Sequence, residues 1–251
     1  NVYDASNEDN YMSENFADTY FDKLNTQKIG FIRDDVEARF RSHDLNERER
    51  AMIITSLIYA MDRISHTCGH YDSFIRDGKY GGELLLKMPA NDYVLNANNQ
   101  IFCADSNTIA DKETVDVAYL DPPYNSRQYC DAYHLLENVA LWEKPQVFGV
   151  AKKMDRTHMK SNYCKSIEAA KALRDLVVKL DARYILLSYN NNGKKLQCRS
   201  NAKMTDEEII DILSLRGDVK IFTMDYRGFD AGKSEFNKDN QERIFLCNVN
   251  K

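Results

Sequence analysis

Residues 117–138 read VAYLDPPYNSRQYCDAYHLLEN, and they join a short apolar run to an abrupt polar ending. The apolar residues are typical of a buried strand, and Pro122 and Pro123 end it because proline lacks the backbone N–H that a sheet requires. The two prolines make a stiff turn whose carbonyl oxygens remain acceptors. Asp121 adds a side-chain acceptor, and Tyr124 adds a flat aromatic face. This ending suits a planar group that carries an NH₂, such as the exocyclic amine of a nucleobase.

The second half of the chain alternates strands and helices around this turn. Amphipathic helices are predicted at residues 165–180 and at 205–217, where Gly217 is the expected stop. Strands are predicted for QIFCAD (100–105), VDVAYL (115–120), RYILLSYN (183–190), DVKIFTMDY (218–226) and QERIFLCNV (241–249). This order predicts an α/β sheet that is mostly parallel, with an antiparallel terminal hairpin. Ligands bind at the carboxyl ends of strands in such sheets, so Asp105, Asp121 and Tyr189-Asn190 outline a pocket.

The first part of the chain reads as helical from about residue 7 to residue 75. Asn46 is the expected N-cap of a buried helix, with Glu49 completing a capping box and Gly69 as the stop. Glycines, a proline and asparagines make residues 77–99 a loop-rich connection. We therefore predict a helical region with connecting loops at residues 1–98, a candidate DNA-recognition part, and an α/β catalytic part at residues 99–251.

Composition narrows the class of protein. The net charge of −5 argues against a uniformly basic nucleic-acid binder but leaves room for a local basic face. The six cysteines are scattered without a CxxC pair, which predicts reduced thiols in a cytoplasmic protein and no metal site. No apolar run approaches the length of a membrane span, and no signal-peptide pattern opens the chain, so we expect no membrane association.

The string YLDPPYNSRQYCDAYHLLENVALWEKP (residues 119–145) resembles the catalytic motif of the amino-directed DNA adenine methyltransferases, the D12 class that includes Dam-like and type II restriction-modification methylases. SHTCGHYDSF (65–74) is similar to a stretch upstream of that motif, so the resemblance covers residues 65–251. It implies S-adenosylmethionine as cofactor and duplex DNA as partner, with an adenine flipped out of the stack because its amine is unreachable in the duplex.

The resemblance also implies roles for individual residues. Asp121 and the Pro122 carbonyl would bind the adenine amine, Pro123 would stiffen the turn and Tyr124 would stack on the base. Asp105 and Ser106, with Asp121, would face the cofactor. DNA contacts are expected from cations, amides and aromatics after the turn, from a basic stretch and from a late loop: Asn125, Arg127, Tyr129, Tyr133, Lys152, Lys153, Arg227 and Lys233. The basic stretch has a second interpretation as a solvated surface, and His134 reads as a structural histidine.

One part of the family pattern is missing. These enzymes open with a glycine-rich cofactor loop after the first strand, and YGGELL (80–85) does not replace it because no convincing strand precedes it. We therefore expect a Rossmann-like methyltransferase sheet, incomplete at its N-terminal side. The chain reads as the C-terminal part of a longer methylase, as one half of a split enzyme whose partner chain supplies the loop, or as an inactive homologue. The non-Met start favours the first.

Two other functions fit the same motif. Similar strand-end turns hold RNA amines or a protein glutamine amide, so the substrate class has alternatives. A catalytically inactive nucleic-acid-binding module or subunit is the third interpretation. The amino-acid sequence does not give the DNA sequence that is recognised, since base specificity depends on which side chains reach the base edges in three dimensions.

Overall fold

In the computed structural model, residues 8–76, 79–90, 98–190, 202–225 and 241–250 are described. The chain divides into two units, one formed by Asn1–Asn99 with Tyr129–Met159 and the other by Gln100–Gln128 with Lys160–Lys251. Residues 129–159, which the sequence assigned to the α/β part, cluster with the helices instead.

The elements follow the chain in a simple order. The helices are α1 (Tyr11–Phe16), α2 (Lys23–Arg41), α3 (Glu47–Ile64), α4 (Ser106–Ile109), α5 (Tyr129–Ala132), α6 (His134–Leu141), α7 (Ala169–Lys179) and α8 (Asp206–Leu213). The strands are β1 (Thr114–Leu120), β2 (Asp181–Asn190), β3 (Gly217–Asp225) and β4 (Gln241–Val249). None of the helices within these described ranges combines the length and apolar character needed to cross a bilayer.

The helical unit confirms one predicted helix start and corrects its end. Asn46 caps α3, and Glu49 completes the capping box. The helix stops at Ile64, before Gly69, because the backbone N–H of His66 donates to the Tyr20 carbonyl (2.9 Å) instead of continuing the helical ladder. The continuous helical region predicted for residues 7–75 is likewise broken between α1, α2 and α3.

Arg33 on α2 is the central polar residue of this unit. Its side chain is fully buried, and its Nε donates to the Val139 carbonyl in the last turn of α6 (2.7 Å). The guanidinium also pairs with Glu37 (2.7 Å) and lies over the Trp142 ring at 5.2 Å. Carbonyls at the C-terminal end of a helix lack intrahelical donors. Arg33 supplies a donor to one of these carbonyls in α6 and so links α6 to α2.

The α/β unit is built on a four-stranded sheet in the order β1-β2-β4-β3. β1 and β2 pair in parallel, and β4 pairs antiparallel with both β2 and β3. The predicted alternation and the antiparallel terminal hairpin are confirmed. Although β1, β2 and β3 run in one direction, only one described pairing is parallel, because β4 is inserted between β2 and β3.

Two local predictions in this unit are wrong. QIFCAD is not a strand: residues 100–103 are irregular and Ile101 is 95% exposed. A strand needs a hydrogen-bonded neighbour, and no described segment pairs with these residues. Gly217 does not end α8 but begins β3, where an added Cβ would meet the Asn248 carbonyl oxygen of β4.

Both crossover helices cover the same face of the sheet. α7 and α8 pack against β2 and β4 through a continuous apolar core that includes Leu173, Val177, Ile209, Leu213, Ile185, Leu187 and Phe245. α8 begins at the predicted N-cap, Thr205, whose hydroxyl accepts from the Glu208 N–H (3.2 Å). The arrangement leaves the carboxyl ends of β1 and β2 side by side.

We expect Arg33→Ala to lower the free energy of unfolding by about 2–4 kcal/mol, because it removes a buried donor and leaves a helix-end carbonyl unpaired. The matched control is Arg39→Ala on the same helix, whose pair with Asp35 is exposed and contributes under about 1 kcal/mol. Urea denaturation of both variants checks this. Equal losses would show that Arg33 does not hold α6 to α2.

Candidate active site

The turn after β1 presents Asp121 to solvent. Leu120, the last residue of β1, pairs with Leu187, so Asp121 lies at the carboxyl end of the parallel pair. Its side chain is exposed and makes no hydrogen bond or ion pair with any described residue. Pro122 and Pro123 are half-buried behind it. The carboxylate is therefore available to an incoming ligand, while the backbone that carries it is fixed by the sheet.

Tyr189, near the end of β2, supports Tyr124 through a ring contact and a hydrogen bond. The two rings meet edge to face with centroids 6.2 Å apart, and the Tyr189 hydroxyl donates to the Tyr124 carbonyl (3.3 Å). That hydroxyl also accepts from the N–H groups of Lys203 (3.2 Å) and Met204 (3.1 Å). Burial raises the pKa of Tyr189 to about 12, so it remains a neutral phenol that both donates and accepts. Tyr124 itself is half-exposed.

The residues after Tyr124 continue as an ordered turn within the same unit. The Asn125 side chain accepts from the Arg127 N–H (2.8 Å), and the Cys164 thiol donates to the Arg127 carbonyl (3.3 Å). Gln128 exchanges two hydrogen bonds with the Ser161 backbone (3.1 and 2.8 Å). These bonds fix the backbone and leave the Arg127 side chain exposed. Asn125 therefore has a structural role in the turn.

Asp105 lies at a helix start rather than at a strand end. Its carboxylate accepts from the Asn107 N–H (2.9 Å) and so caps the short helix α4. Asn107 anchors α4 to α7 by donating to the Ala172 carbonyl (2.8 Å) and to Asp175 (2.8 Å). Asp105 and Ser106 are exposed to solvent, and the Ser106 side chain also forms a hydrogen bond with Tyr163.

Four further predicted site residues, Tyr129, Tyr133, Lys152 and Lys153, belong to the helical unit. Tyr129 and Tyr133 are 61% and 45% exposed, with ring centroids 6.2 Å apart. Lys153 forms an ion pair with Asp72 and lies 4.0 Å from Asp131, which favours a structural role for this cation. Lys152 is half-buried in a turn with a positive φ of 50°.

His134 is a structural residue of that unit. It is 1% exposed, and its Nε2 lies 2.8 Å from the Tyr71 carbonyl oxygen. Burial lowers the pKa of His134 to about 4, which keeps the imidazole neutral at physiological pH.

The predicted DNA contacts Arg227 and Lys233 lie outside the described residues.

Two contacts that hold the turn in place were not predicted from the sequence. Tyr189 was recognised as a strand-end residue but not as the support of Tyr124, and Gln128 was not linked to Ser161. The only sequence signal for the contact between Tyr189 and Tyr124 is a tyrosine at the end of a neighbouring parallel strand.

A cavity lined by Thr114, Asp181 and Arg216 lies at the opposite end of the sheet and holds none of the predicted site residues.

The residues present fit S-adenosylmethionine only in part. Exposed carboxylates at Asp105 and Asp121 suit the polar groups of an adenosyl moiety and a sulfonium. The sequence has no glycine-rich loop after a strand to carry a backbone close to the cofactor. Within the described ranges, no cluster of His, Cys, Asp or Glu has the arrangement of a metal site.

Removing the Tyr189 hydroxyl tests the support of the turn. We expect Tyr189→Phe to lower the free energy of unfolding by about 1–3 kcal/mol, since the Met204 N–H loses its acceptor, the Lys203 N–H keeps only the Tyr124 carbonyl, and that carbonyl loses the hydroxyl donor. Tyr184→Phe on the same strand is the control and should change it by less than about 0.5 kcal/mol. Thermal or urea denaturation measures both, and an equally small effect of both changes would contradict the assigned role.

Known proteins are similar in sequence to this chain over most of its length. The model of the D12 class N6 adenine-specific DNA methyltransferase family matches residues 3–197. The StsI modification methylase of Streptococcus sanguinis is 33% identical over 250 residues, 97% of this chain and 35% of that protein. Type II methyltransferase M.FokI of Planomicrobium okeanokoites is 32% identical over 90% of this chain and 34% of its own length. M.NlaIII of Neisseria lactamica is 29% identical, over 86% of this chain and 62% of its own length.

The chain thus spans about a third of the length of the first two relatives. No solved structure matches it. The match of the family model to most of the chain, together with a strand that ends in Asp-Pro-Pro-Tyr and an exposed Asp121, identifies the chain as a member of the D12 class N6 adenine-specific DNA methyltransferases.

Proposed function

We propose that this chain carries the base-binding part of an enzyme that methylates the exocyclic amine of adenine in DNA. One observation carries the proposal. The exposed Asp121 carboxylate has no partner among the described residues, and it is three residues from Tyr124, whose backbone is fixed by Tyr189. A group that is charged, exposed and rigidly mounted at a strand end is arranged for a ligand rather than for stability.

The chemistry follows from the donors and acceptors at the turn. The Asp121 carboxylate and the Pro122 carbonyl accept the two hydrogens of the adenine amine, which draws the nitrogen toward tetrahedral geometry and frees its lone pair. S-adenosylmethionine supplies the electrophilic methyl group. The Asp121 carboxylate would stabilise the positive charge that develops on the amine nitrogen during methylation, until a proton leaves to solvent. Positioning and charge stabilisation suffice, without a strong base.

Recognition of the flipped base and the duplex would use exposed groups on each of the two units. Tyr124 offers a half-exposed ring for stacking on the flipped adenine. Arg127 offers an exposed cation for phosphate, and Tyr129 and Tyr133 offer aromatic surface on the helical unit. Lys152 remains a candidate phosphate ligand, whereas the ion pair of Lys153 makes its contribution smaller. Asn125, Arg227 and Lys233 remain predictions.

The cofactor requires more polypeptide than these residues provide. We assign Asp105 and Ser106 to the adenosyl end of S-adenosylmethionine, on the support of their exposure at the start of α4. The glycine-rich loop and the first strands of a Rossmann-like sheet would come from an upstream segment or a partner chain. The greater length of the relatives, of which this chain covers 35% and 34%, supports that division.

Asp121→Ala should reduce methyl transfer from labelled S-adenosylmethionine to duplex DNA by about 10²-fold or more in the full-length gene product, because the amine loses its charged acceptor. Asp116→Ala is the matched control, since Asp116 is exposed on the same strand but away from its carboxyl end, and its activity should stay within about twofold. Equal activity of Asp121→Ala and the unmodified enzyme would contradict the assignment.

A second candidate function is an inactive nucleic-acid-binding subunit, favoured by the missing glycine-rich loop. Titration calorimetry of residues 1–251 with S-adenosylmethionine separates the possibilities. We expect weak or undetectable binding by this chain alone and clear binding by the full-length product. If neither the chain nor the full-length product binds S-adenosylmethionine, the inactive subunit is favoured. A separate competition between DNA and RNA duplexes as methyl acceptors would identify an enzyme that acts on RNA.

A further inference from the structure

Arg243 is a buried arginine of the α/β unit, near the start of β4. The antiparallel register pairs it with Tyr189 of β2, and residues that are paired in this way point to the same side of the sheet. The crossover helices cover that side, since Leu187 and Phe245 form the next pair on it. Arg243 is 5% exposed, so its charge has to be met by groups within the unit.

The guanidinium of Arg243 joins two elements of this unit. Its Nη2 donates to the Asn190 carbonyl at the end of β2 (3.0 Å), and its Nη1 forms an ion pair with Asp206, the first residue of α8. The neighbouring Glu242 accepts from the Asn190 side chain (3.0 Å), so β4 binds Asn190 twice. The guanidinium also lies over the Phe245 ring at 5.3 Å. These contacts set the separation between the end of β2 and the start of α8.

Both elements that Arg243 joins also support the turn after β1. From β2, the Tyr189 hydroxyl donates to the Tyr124 carbonyl (3.3 Å). From the residues that lead into α8, the Lys203 N–H donates to the same carbonyl (2.9 Å), and the Met204 N–H donates to the Tyr189 hydroxyl (3.1 Å). The ion pair with Arg243 lies two residues further along, on the first residue of α8. A shift of α8 relative to β2 would therefore move the donors that hold the Tyr124 carbonyl.

Stability alone is a weak reason for this buried arginine. The desolvation of a buried charge largely offsets the attraction to its partner, and an apolar side chain of similar volume often stabilises a core as well or better. The Arg243 Nε is also buried without a hydrogen-bond partner among the described residues, which lowers stability further. The guanidinium supplies what an apolar side chain does not, a directional link between a carbonyl on one element and a carboxylate on another. The pair therefore contributes to geometry more than to stability.

We propose that Arg243 is a positioning residue for methyl transfer, which fixes the Tyr124 ring by holding the end of β2 and the start of α8 together. In this role it touches neither substrate nor cofactor. The inference rests on the proposed function, since the placement of the ring affects the rate only if the ring stacks on the base. Misplacement of an orienting group by about 1 Å can lower a rate by up to about 10²-fold, so a loosened support has a measurable effect.

The first test separates turnover from binding in the full-length gene product. Arg243→Met keeps an apolar side chain without the guanidinium, and we expect it to lower kcat for DNA methylation about tenfold while KM for duplex DNA changes by less than about threefold. Arg216→Met is the matched control, because Arg216 also donates to carbonyls, those of Val177 and Val178 (2.6 and 3.0 Å), but at the opposite end of the sheet. Well below the unfolding temperature of either variant, the kcat of Arg216→Met should stay within about twofold of the unmodified value. Equal losses of kcat in the two variants overturn the proposal.

Asp206→Asn tests the same link from its other end, at a half-exposed position, and so serves where Arg243→Met does not fold. We expect it to lower kcat about fivefold, because the ion pair that holds the start of α8 is lost. Glu207→Gln is its control, since it removes an exposed carboxylate from the same first turn of α8, and it should change kcat by less than about twofold. A kcat of Asp206→Asn that equals the control value contradicts the proposal.

A double-mutant cycle with Tyr124→Ala shows whether the link acts through the ring. Asp206→Asn should lower single-turnover methyl transfer about fivefold when the ring is present and less than about twofold when it is absent. Equal losses in the two backgrounds would overturn the positioning role and leave the methyltransferase assignment intact. Absence of methyl transfer to DNA by the unmodified full-length product would instead refute the proposed function and, with it, this role.

Discussion

The parallel pairing of β1 with β2 is the constraint on which the site depends. The register that places Leu120 beside Leu187 also brings the turn after β1 to the end of β2, where Tyr189 bonds the Tyr124 carbonyl. A slip of one residue would turn Val117 and Tyr119 toward the helices and Ala118 toward solvent. It would also separate Tyr124 from its support. The rigidity of the turn at Asp121 thus comes from the sheet, while the groups that the turn presents to a ligand are few and exposed.

The family-like string after the turn combines two kinds of residue. Asn138 donates to the Tyr11 hydroxyl (2.8 Å) and Trp142 donates to Asp34 (2.9 Å), so both join the later part of the string to the helices at the start of the chain. Asp121 and Arg127 are exposed and have chemistry that packing does not use. A motif is therefore not uniformly catalytic, and much of this one secures the helical unit.

Local patterns predicted much of the fold because each reports on nearby residues. The Asn46 capping box, the Thr205 cap and the alternation of strands and helices all follow from short-range chemistry. QIFCAD failed because strand formation depends on a neighbour that composition cannot reveal. The partnership of Arg33 with Val139 joins residues far apart in sequence, and no periodicity signals it. At the site, Asp121 was visible as a strand ending, whereas the support from Tyr189 depends on register between distant strands.

The central claim is that the turn at Asp121 holds the amine of adenine in DNA. The most direct measurement is mass spectrometry of nucleosides from the DNA and RNA of a bacterial host that expresses the full-length product. The account predicts N6-methyladenine in DNA beyond the level of the host without the gene, and none of this increase with Asp121→Ala. An increase confined to RNA, a methyl group on another base, or an undiminished increase with Asp121→Ala would contradict it.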